Sequence, residues 1–332
     1  MMNEQYNRPI WNTLERQQRQ QLLAQLQAQL PTGFTLDRLE TFNRYGQTTE
    51  TGVFTYQGSE FVFVPGDTVT LGLDRLPSEL DQATREDLEA GLSELDLKLD
   101  EADSIISPQM SPVRQAQIAP LVVERQTHAV GWIRYAPEQL DPEEDDDILE
   151  HLERFQTSTY RSLEVDQTCL LERDGDQVKL YVFNDAEDVQ EWIDYDLTPP
   201  FSLLTEDEWE YVYGGGCRTL FPWGDSFDYT LKLRHFHKST DGTEHDDRPY
   251  DLELPNAFGL HFTGDPYRYE LTVNADGQDI DKGGDGGNAI CGGIGIMLGY
   301  LPVATYYRNP YQNELDWSER IGYMQYRRVI RL

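Results

Sequence analysis

The residues with the clearest chemical potential lie in a glycine-rich stretch that carries one cysteine. Residues 282–299 read KGGDGGNAICGGIGIMLG, with Cys291 as the thiol. A thiol can be reactive or bind a soft metal ion, and it can equally be a small buried hydrophobic group. Glycine permits positive φ and lets a ligand or another backbone segment approach closely. The stretch therefore predicts either the floor of a ligand cleft or an irregular structural loop around Cys291.

Several well-known catalytic patterns are missing from the sequence. The glycine-rich stretch lacks the G-x-x-x-x-G-K-[ST] pattern of a phosphate-binding loop, and its spacing differs from the dinucleotide fingerprint. The chain also contains no G-x-S-x-G, no H-E-x-x-H and no paired C-x-x-C. These absences argue against nucleotide binding, serine hydrolysis and zinc chemistry of the familiar kinds.

Two other groups of residues have metal-binding side chains. His235, His237 and His245 lie close together, and the first two would share one side of a strand. No third ligand follows from their spacing, so exposed histidines on a loop are the alternative. The acidic residues 137–147 lack the spacing and the glycine of a calcium loop, which favours a solvated loop or a helix entry.

Composition and charge limit the partners and the cellular location that we expect for the protein. The chain has 332 residues, of which 38% are hydrophobic, and a formal net charge of -33 with a pI near 4.3. This charge would be repelled by nucleic acid and by anionic membranes, so we expect neither as a partner. No apolar run approaches bilayer length, and the first residues show no signal-peptide core, which predicts a cytoplasmic protein. Three scattered cysteines predict reduced thiols.

Periodicity then predicts the elements that position these residues. We expect a helix at 9–30 capped by Asn12, strands at 53–73 broken at Pro65-Gly66, and a helix at 77–99. A strand is expected at 117–124, a hairpin at 163–183 turning at Asp174-Gly175, and a helix capped by Asn184. The segment LDRLETFNRY at 36–45 is interpreted as a further short amphipathic piece of an N-terminal helical region.

Residues 201–225 (FSLLTEDEWEYVYGGGCRTLFPWGD) contain the most specific motif. Thr205 and Glu208 form a predicted capping box, and the glycines at 214–216 end the helix. The run resembles T-E-A-E-W-E-Y…Y-P-W-G-D of the formylglycine-generating enzyme, or sulfatase-modifying factor, family. Residues 58–74, PNAFGL at 255–260 and the terminal YRRV at 326–329 resemble further family segments in the same order.

The resemblance implies an α+β fold of the C-type-lectin-like kind, with low regular secondary structure and long loops. It covers residues 58–332. We therefore predict an N-terminal helical extension at 1–52 and a sulfatase-modifying-factor-like domain at 53–332.

Family members that make formylglycine resemble one another at a cysteine pair that binds Cu(I). Cys291 matches the first cysteine, but Ile296 stands five residues later, where the second should be. Isoleucine has no lone pair to offer, so copper is disfavoured as a cofactor, unless Met297, Cys217 or Cys169 approaches in space. The histidine pattern of the related nonhaem-iron members is also missing.

The family's calcium motif is altered as well. Its G-N-V-W-E-W matches residues 264–270, GDPYRYE, where Arg268 replaces the glutamate and Glu270 restores one after a local shift. Calcium held by Glu270 and Asp265 therefore stays an open alternative to no cofactor.

The favoured interpretation is a non-catalytic member that binds a small molecule or a protein partner in a glycine-rich cleft. The alternative is a copper- or cysteine-dependent oxidoreductase that uses Cys291, and a third is a display or immunity protein of the C-type-lectin type. The residues expected to line the cleft, besides Cys291, are Trp223, Tyr267, Arg268, Asp285, Asn288, Tyr306 and Arg308.

Overall fold

The computed structural model of the chain describes residues 4–175, 177–236 and 248–332. The helices are α1 Arg8–Trp11, α2 Arg16–Gln27, α3 Gln82–Glu94, α4 Ala102–Ile106, α5 Asp146–Thr157, α6 Val189–Asp196, α7 Glu206–Gly214, α8 Asn288–Cys291, α9 Ile296–Gly299 and α10 Trp317–Arg320. The strands are β1 Thr35–Arg44, β2 Gln47–Tyr56, β3 Ser59–Val64, β4 Asp67–Leu71, β5 Arg114–Ile118, β6 Leu121–Glu124, β7 His128–Ala129, β8 Trp132–Tyr135, β9 Ser162–Val165, β10 Cys169–Asp174, β11 Gln177–Phe183, β12 Tyr269–Val273, β13 Asp279–Lys282, β14 Met324–Tyr326 and β15 Val329–Arg331.

The largest sheet joins the two ends of the chain. Its strand order is β1-β2-β3-β6-β15, and every neighbouring pair is antiparallel. One face packs on the main core, which includes Val62 and Val123, and the other on a second cluster with Trp11 and Leu23 from the N-terminal helices. This alternation follows from the period of two along each strand. The C-terminal strand is therefore part of the same unit as the first hairpin.

The predicted helical extension at 1–52 is wrong beyond residue 34. The segment LDRLETFNRY lies in β1, and the proposed boundary at 52/53 falls inside β2. A two-residue turn at Tyr45 and Gly46, both with positive φ, connects the two strands. Positive φ at both positions is the geometry that tight hairpins require. Pairing along the whole of β1 with β2 outweighs the helix-like spacing of Leu36, Leu39 and Phe42.

Three smaller sheets complete the α and β framework. They are the hairpin β4-β5, the sheet β8-β11-β10-β9 and the sheet β13-β12-β14-β7, in which β12 and β14 run parallel. About 30% of the residues are helical and 28% lie in strands. These fractions are ordinary for a globular protein, so the expectation of low regular content is wrong. The coarser prediction of a mixed helix and strand protein is confirmed.

The helix that carries the most specific motif forms as predicted. The Glu208 amide donates to Thr205 Oγ1 at 3.2 Å, and the Thr205 amide donates to Glu208 Oε2 at 2.8 Å. Gly215 ends α7 in the left-handed conformation with φ 64°. Trp209 and Val212 are buried in the main core. The capping box is thus confirmed, and α7 becomes the rigid element beside the glycine-rich segment.

Two predicted caps are wrong. Asn12 follows α1 as its C-terminal cap, and α2 starts after Glu15 instead. The helix predicted after Asn184 starts after Asp188, whose carboxylate accepts from two amides of the first turn. The Asn184 side chain is used locally, where it accepts from the Ala186 amide. The hairpin predicted at 163–183 is confirmed from Cys169 onwards as β10 and β11, whereas its first residues belong to the separate strand β9.

No helix among the described residues is both long enough and apolar enough to cross a membrane. The cytoplasmic location stays a prediction.

Candidate functional site

The glycine-rich segment leaves β13 at Lys282 and carries two short helices, α8 and α9. Asp285 organises its first turn, because its carboxylate accepts from the Gly287 amide at 3.0 Å and from the Ala289 amide at 2.9 Å. Burial raises the pKa of Asp285, while these amides act in the opposite direction. Gly287 has φ 86°, and a Cβ there would lie 2.3 Å from the ring of Tyr267. The glycine is therefore required both by its conformation and by a close ring.

An apolar cleft of about 370 Å³ lies beside this segment. One wall comes from Asn288, Ala289, Gly292, Ile294 and Leu298 of the segment itself. The opposite wall is contributed by α3 and α4, through side chains that include Leu92 and Ile105. The polar groups at the cleft are few, and Asp285 and Asn288 are among them. A cavity therefore lies on one side of the glycine-rich segment, and two of the residues expected in a cleft, Asp285 and Asn288, line it.

Cys291 ends α8 and is exposed, so the expectation that it is a buried hydrophobic group is wrong. Its Sγ lies 3.0 Å from the hydroxyl of Tyr267. This hydrogen bond is the main reason that the pKa of Tyr267 is raised above its ordinary value. Tyr267 and Cys291 were both expected to line the cleft, but neither is among the residues that line the two cavities described here. Their contact joins the segment at 288–292, which lines the apolar cleft, to the loop that contains Arg268.

Tyr267 also contacts a histidine. The ring of His235 lies 4.8 Å from that of Tyr267, and His235 Nε2 lies 2.7 Å from Asp265 Oδ1. The Tyr267 amide donates to the same Asp265 oxygen at 3.0 Å. Of the three histidines considered as metal ligands, His237 and His245 lie outside the described residues. His235 is held by a carboxylate and a ring.

A second cavity of about 630 Å³ is polar and lies on the other side of this loop. Arg268, Asp265 and Gln325 line it, together with Thr127 and His261. His261 Nδ1 lies 3.0 Å from the carbonyl oxygen of Glu253, so this nitrogen carries a proton and donates it. Burial lowers the pKa of His261, which leaves the ring neutral at pH 7. Arg268 therefore lies in this polar cavity, apart from Asp285 and Asn288, which line the apolar cleft.

Three residues expected in the cleft have structural partners instead. Trp223 stacks on Phe221 with ring centroids 4.7 Å apart. Tyr306 is fully buried, and its hydroxyl donates to the carbonyl oxygen of Cys217. Arg308 forms two hydrogen bonds, of 2.7 and 2.6 Å, with the carboxylate of Glu206. As far as the described residues show, none of the three lines either cavity.

The residues considered for metals are dispersed. The two oxygens of Glu270 both accept from the buried Arg327, so a calcium ion there would have to displace an arginine. Asp265, the other calcium candidate, is paired with His235. Within the residues that the structure describes, no group of three or more histidine, cysteine or acidic side chains is arranged to hold a metal ion. Calcium binding stays a prediction.

The groups that might have replaced the second copper thiolate are also engaged elsewhere. Cys169 is buried in a separate cluster with Leu171 and Leu180, and Cys217 Sγ lies 3.7 Å from Thr305 Oγ1. Met297 is fully buried in the main core. None of these sulfur atoms is recorded in contact with Cys291 in the described structure. That copper is disfavoured as a cofactor therefore stays a prediction.

Sequence reasoning missed a buried ion-pair network under the glycine-rich segment. Lys282 is fully buried, and its ammonium lies 2.9 Å from Glu210 Oε1 and 3.5 Å from Glu206 Oε1. Arg114, from β5, lies 3.0 Å from the other oxygen of Glu210. In the sequence, Glu208 has a predicted role only in the capping box, and Glu206 and Glu210 have none. Their places beside Trp209 on one short helix are the signal that could have indicated cations from distant segments.

Two comparisons address the family to which the chain belongs. No protein-family model matches the chain, and no curated protein matches it. The resemblance to the sulfatase-modifying factor family therefore stays a prediction from the motifs quoted above.

Proposed function

We propose that this protein binds a small, largely apolar molecule in the cleft beside the glycine-rich segment and has no copper chemistry. The observation that supports this most directly is the cleft itself, about 370 Å³ with walls from Leu92, Ile105, Ile294 and Leu298. Ligand sites are typically concave and mostly apolar, with a small number of polar groups that orient the ligand. Asp285 and Asn288 are such groups. A concave site of this size favours a small molecule over a protein partner.

The proposal includes a distant relationship to the sulfatase-modifying factor family and its C-type-lectin-like fold. The capping box on α7 and the order of the motifs support it. Such folds carry function on loops, which can change without disturbing the packed core. Loss of the second thiolate at Ile296 would remove copper chemistry and leave the cleft in place.

Binding of a neutral apolar probe tests the proposal. Gly292 lines the cleft and has φ -68°, and the nearest atom to an added Cβ would be the carbonyl oxygen of Ala289 at 3.3 Å. A Gly292→Phe variant should therefore fold and fill the cleft. Glu89→Phe adds the same ring to the exposed side of α3 and is the matched control.

The measurement is a fluorescence titration with N-phenyl-1-naphthylamine, with far-ultraviolet circular dichroism to verify folding. We expect saturable binding to the wild type and to Glu89→Phe, and at least roughly tenfold weaker binding to Gly292→Phe, because an aromatic ring would occupy the probe's volume. Equal binding to all three proteins would show that the cleft is not the site.

One observation favours a second candidate, a cysteine-dependent enzyme. Cys291 is exposed and hydrogen-bonded to Tyr267, which is the arrangement of an accessible thiol and not that of a packing residue. Titration with Cu(I) separates the two functions. Our proposal expects no tight stoichiometric binding. Tight binding that disappears in Cys291→Ser would favour the oxidoreductase.

A display or immunity role would involve a macromolecular partner. It shares the proposed fold and differs in partner size, so size-exclusion chromatography after a pull-down distinguishes it. A co-eluting protein whose binding survives Gly292→Phe would favour this third interpretation over the apolar cleft.

A further inference from the structure

Arg268 has an unusual electrostatic position. Among the arginines and lysines of residues 4–175, 177–236 and 248–332 that have no side-chain hydrogen bond or ion pair, all are exposed except Arg268. Arg268 is half-buried and lines the polar cavity. A guanidinium loses hydration on burial and is normally paired when it is withdrawn from water. An unpaired, half-buried arginine on a concave surface can therefore bind an anion from solution.

A second side chain in the same cavity is also without a partner. Gln325 is only 8% exposed, and its amide makes no hydrogen bond with the described residues. Its amide atoms are themselves reached by solvent, so they face the cavity and can form hydrogen bonds to a ligand there. The hydroxyls of Thr127 and Thr263, on the same wall, form no side-chain hydrogen bond with described residues either. These neutral groups can donate to an anion that Arg268 attracts.

The carboxylates around the cavity limit the charge of the ligand. Glu253 is paired with Arg234 at 2.7 Å, and Asp265 is paired with His235 at 2.7 Å. Glu172 lies at the rim and is exposed. A doubly charged phosphate would be repelled by these groups more strongly than a singly charged carboxylate. A carboxylate also matches the planar fork of a guanidinium.

We propose that the polar cavity is a second binding site, for a small molecule that carries a carboxylate group. Arg268 forms the ion pair with this group, and Gln325 donates a hydrogen bond to it. The site is separate from the apolar cleft and does not depend on the function proposed for that cleft.

The test is isothermal titration calorimetry at pH 7 and constant ionic strength with succinate, glutamate and inorganic phosphate. Arg268→Gln removes the charge in the cavity. Arg85→Gln makes the same change at an exposed, unpaired arginine on α3 and is the matched control. We expect a carboxylate to bind the wild type and Arg85→Gln alike, and to bind Arg268→Gln about tenfold to a hundredfold more weakly, because a charge-assisted hydrogen bond is lost.

Gln325→Leu is a second variant, which keeps the charge and should weaken carboxylate binding several-fold with an unchanged melting temperature. Gly292→Phe should leave carboxylate binding intact, so failure of the apolar-cleft proposal would be recognised separately. Binding of phosphate but of neither carboxylate would overturn the assignment of the ligand. Absence of carboxylate binding up to millimolar concentrations, or equal binding to Arg268→Gln and the wild type, would overturn the site.

Discussion

Replacing Lys282 by methionine should destabilise the protein strongly. The ammonium is fully buried, lies 2.9 Å from Glu210 Oε1 and donates to the carbonyl oxygen of Tyr307 at 2.7 Å. Methionine fills a similar volume but leaves one buried carboxylate oxygen and one carbonyl oxygen without a donor. Removing one partner of a buried ion pair costs about 3–5 kcal/mol. Because Arg114 still contacts the other oxygen of Glu210, we expect the lower part of this range.

The assay is urea denaturation at 25 °C, with the free energy of unfolding compared at equal slopes. Arg154→Met is the control, because Arg154 and Glu150 form an exposed pair with 71% of each side chain accessible. Exposed pairs contribute little, so this variant should resemble the wild type.

A double variant tests the mechanism of the loss. Glu210→Met in the Lys282→Met background removes the unpaired carboxylate, and Arg114 keeps its 2.7 Å hydrogen bond to Asp207. Buried ion pairs can often be replaced by apolar residues without loss, so part of the stability should return. We expect a coupling free energy of about 1 kcal/mol or more between the two sites. A Lys282→Met variant that loses less than about 1 kcal/mol, or a double variant that is strictly additive, would refute this reasoning.

Three further outcomes are expected. Burial alone would raise the pKa of Glu124, but hydrogen bonds, chiefly from Arg328, hold it at about 2. Because this folded-state pKa lies below the ordinary 4.5, ionised Glu124 stabilises the fold above pH 4.5, and this stabilisation is lost as the pH falls towards 2. In urea titrations over this pH range, the free energy of unfolding should therefore fall less steeply for Arg328→Gln than for the wild type. Native-state alkylation mapped by mass spectrometry should label the exposed Cys291 quickly. Cys169 should react only in denaturant, because burial raises its pKa to about 11. Early labelling of Cys169 would contradict its buried position. Gly284→Ala should lower the free energy of unfolding in urea by about 1–3 kcal/mol, because the new Cβ would lie 2.1 Å from the backbone oxygen of residue 268. An unchanged free energy of unfolding would show that the backbone moves to relieve this contact at no cost.

The sequence predicted correctly those elements whose ends are determined by residues close together in the chain. The capping box of Thr205 and Glu208 and the turn after Asp174 involve partners a few residues apart, so their geometry is contained in the motif. The first hairpin was missed because its turn, Tyr45-Gly46, is not a familiar hairpin pair and its strand has helix-like spacing. Long-range pairing determined that segment, and no local window contains the partner strand.

The candidate site was also predicted only as far as local sequence allows. The sequence identified Asp285, Asn288 and Arg268 as cleft residues, and each of them does line a cavity. It could not show that these residues line two different cavities, because the other lining residues, such as Leu92 and Gln325, come from distant segments of the chain. It also grouped Arg308 with them, since an arginine near the groove and an arginine in an ion pair with Glu206 look identical in sequence.

The ion-pair network explains how a segment so rich in glycine can line a defined cleft. Glycine raises the conformational entropy that must be lost on ordering, so a loop of this composition needs fixed ends. Lys282, immediately before the loop, is bound to Glu210 and to the carbonyl oxygen of Tyr307. Arg308, just after it, is bound to Glu206 one turn earlier on the same helix. Both ends of residues 283–307 are therefore bound to α7, whose own start is fixed by its capping box. It follows that Lys282→Met should weaken probe binding in the apolar cleft as well as lower stability, because the lost contact to Tyr307 frees one wall of that cleft.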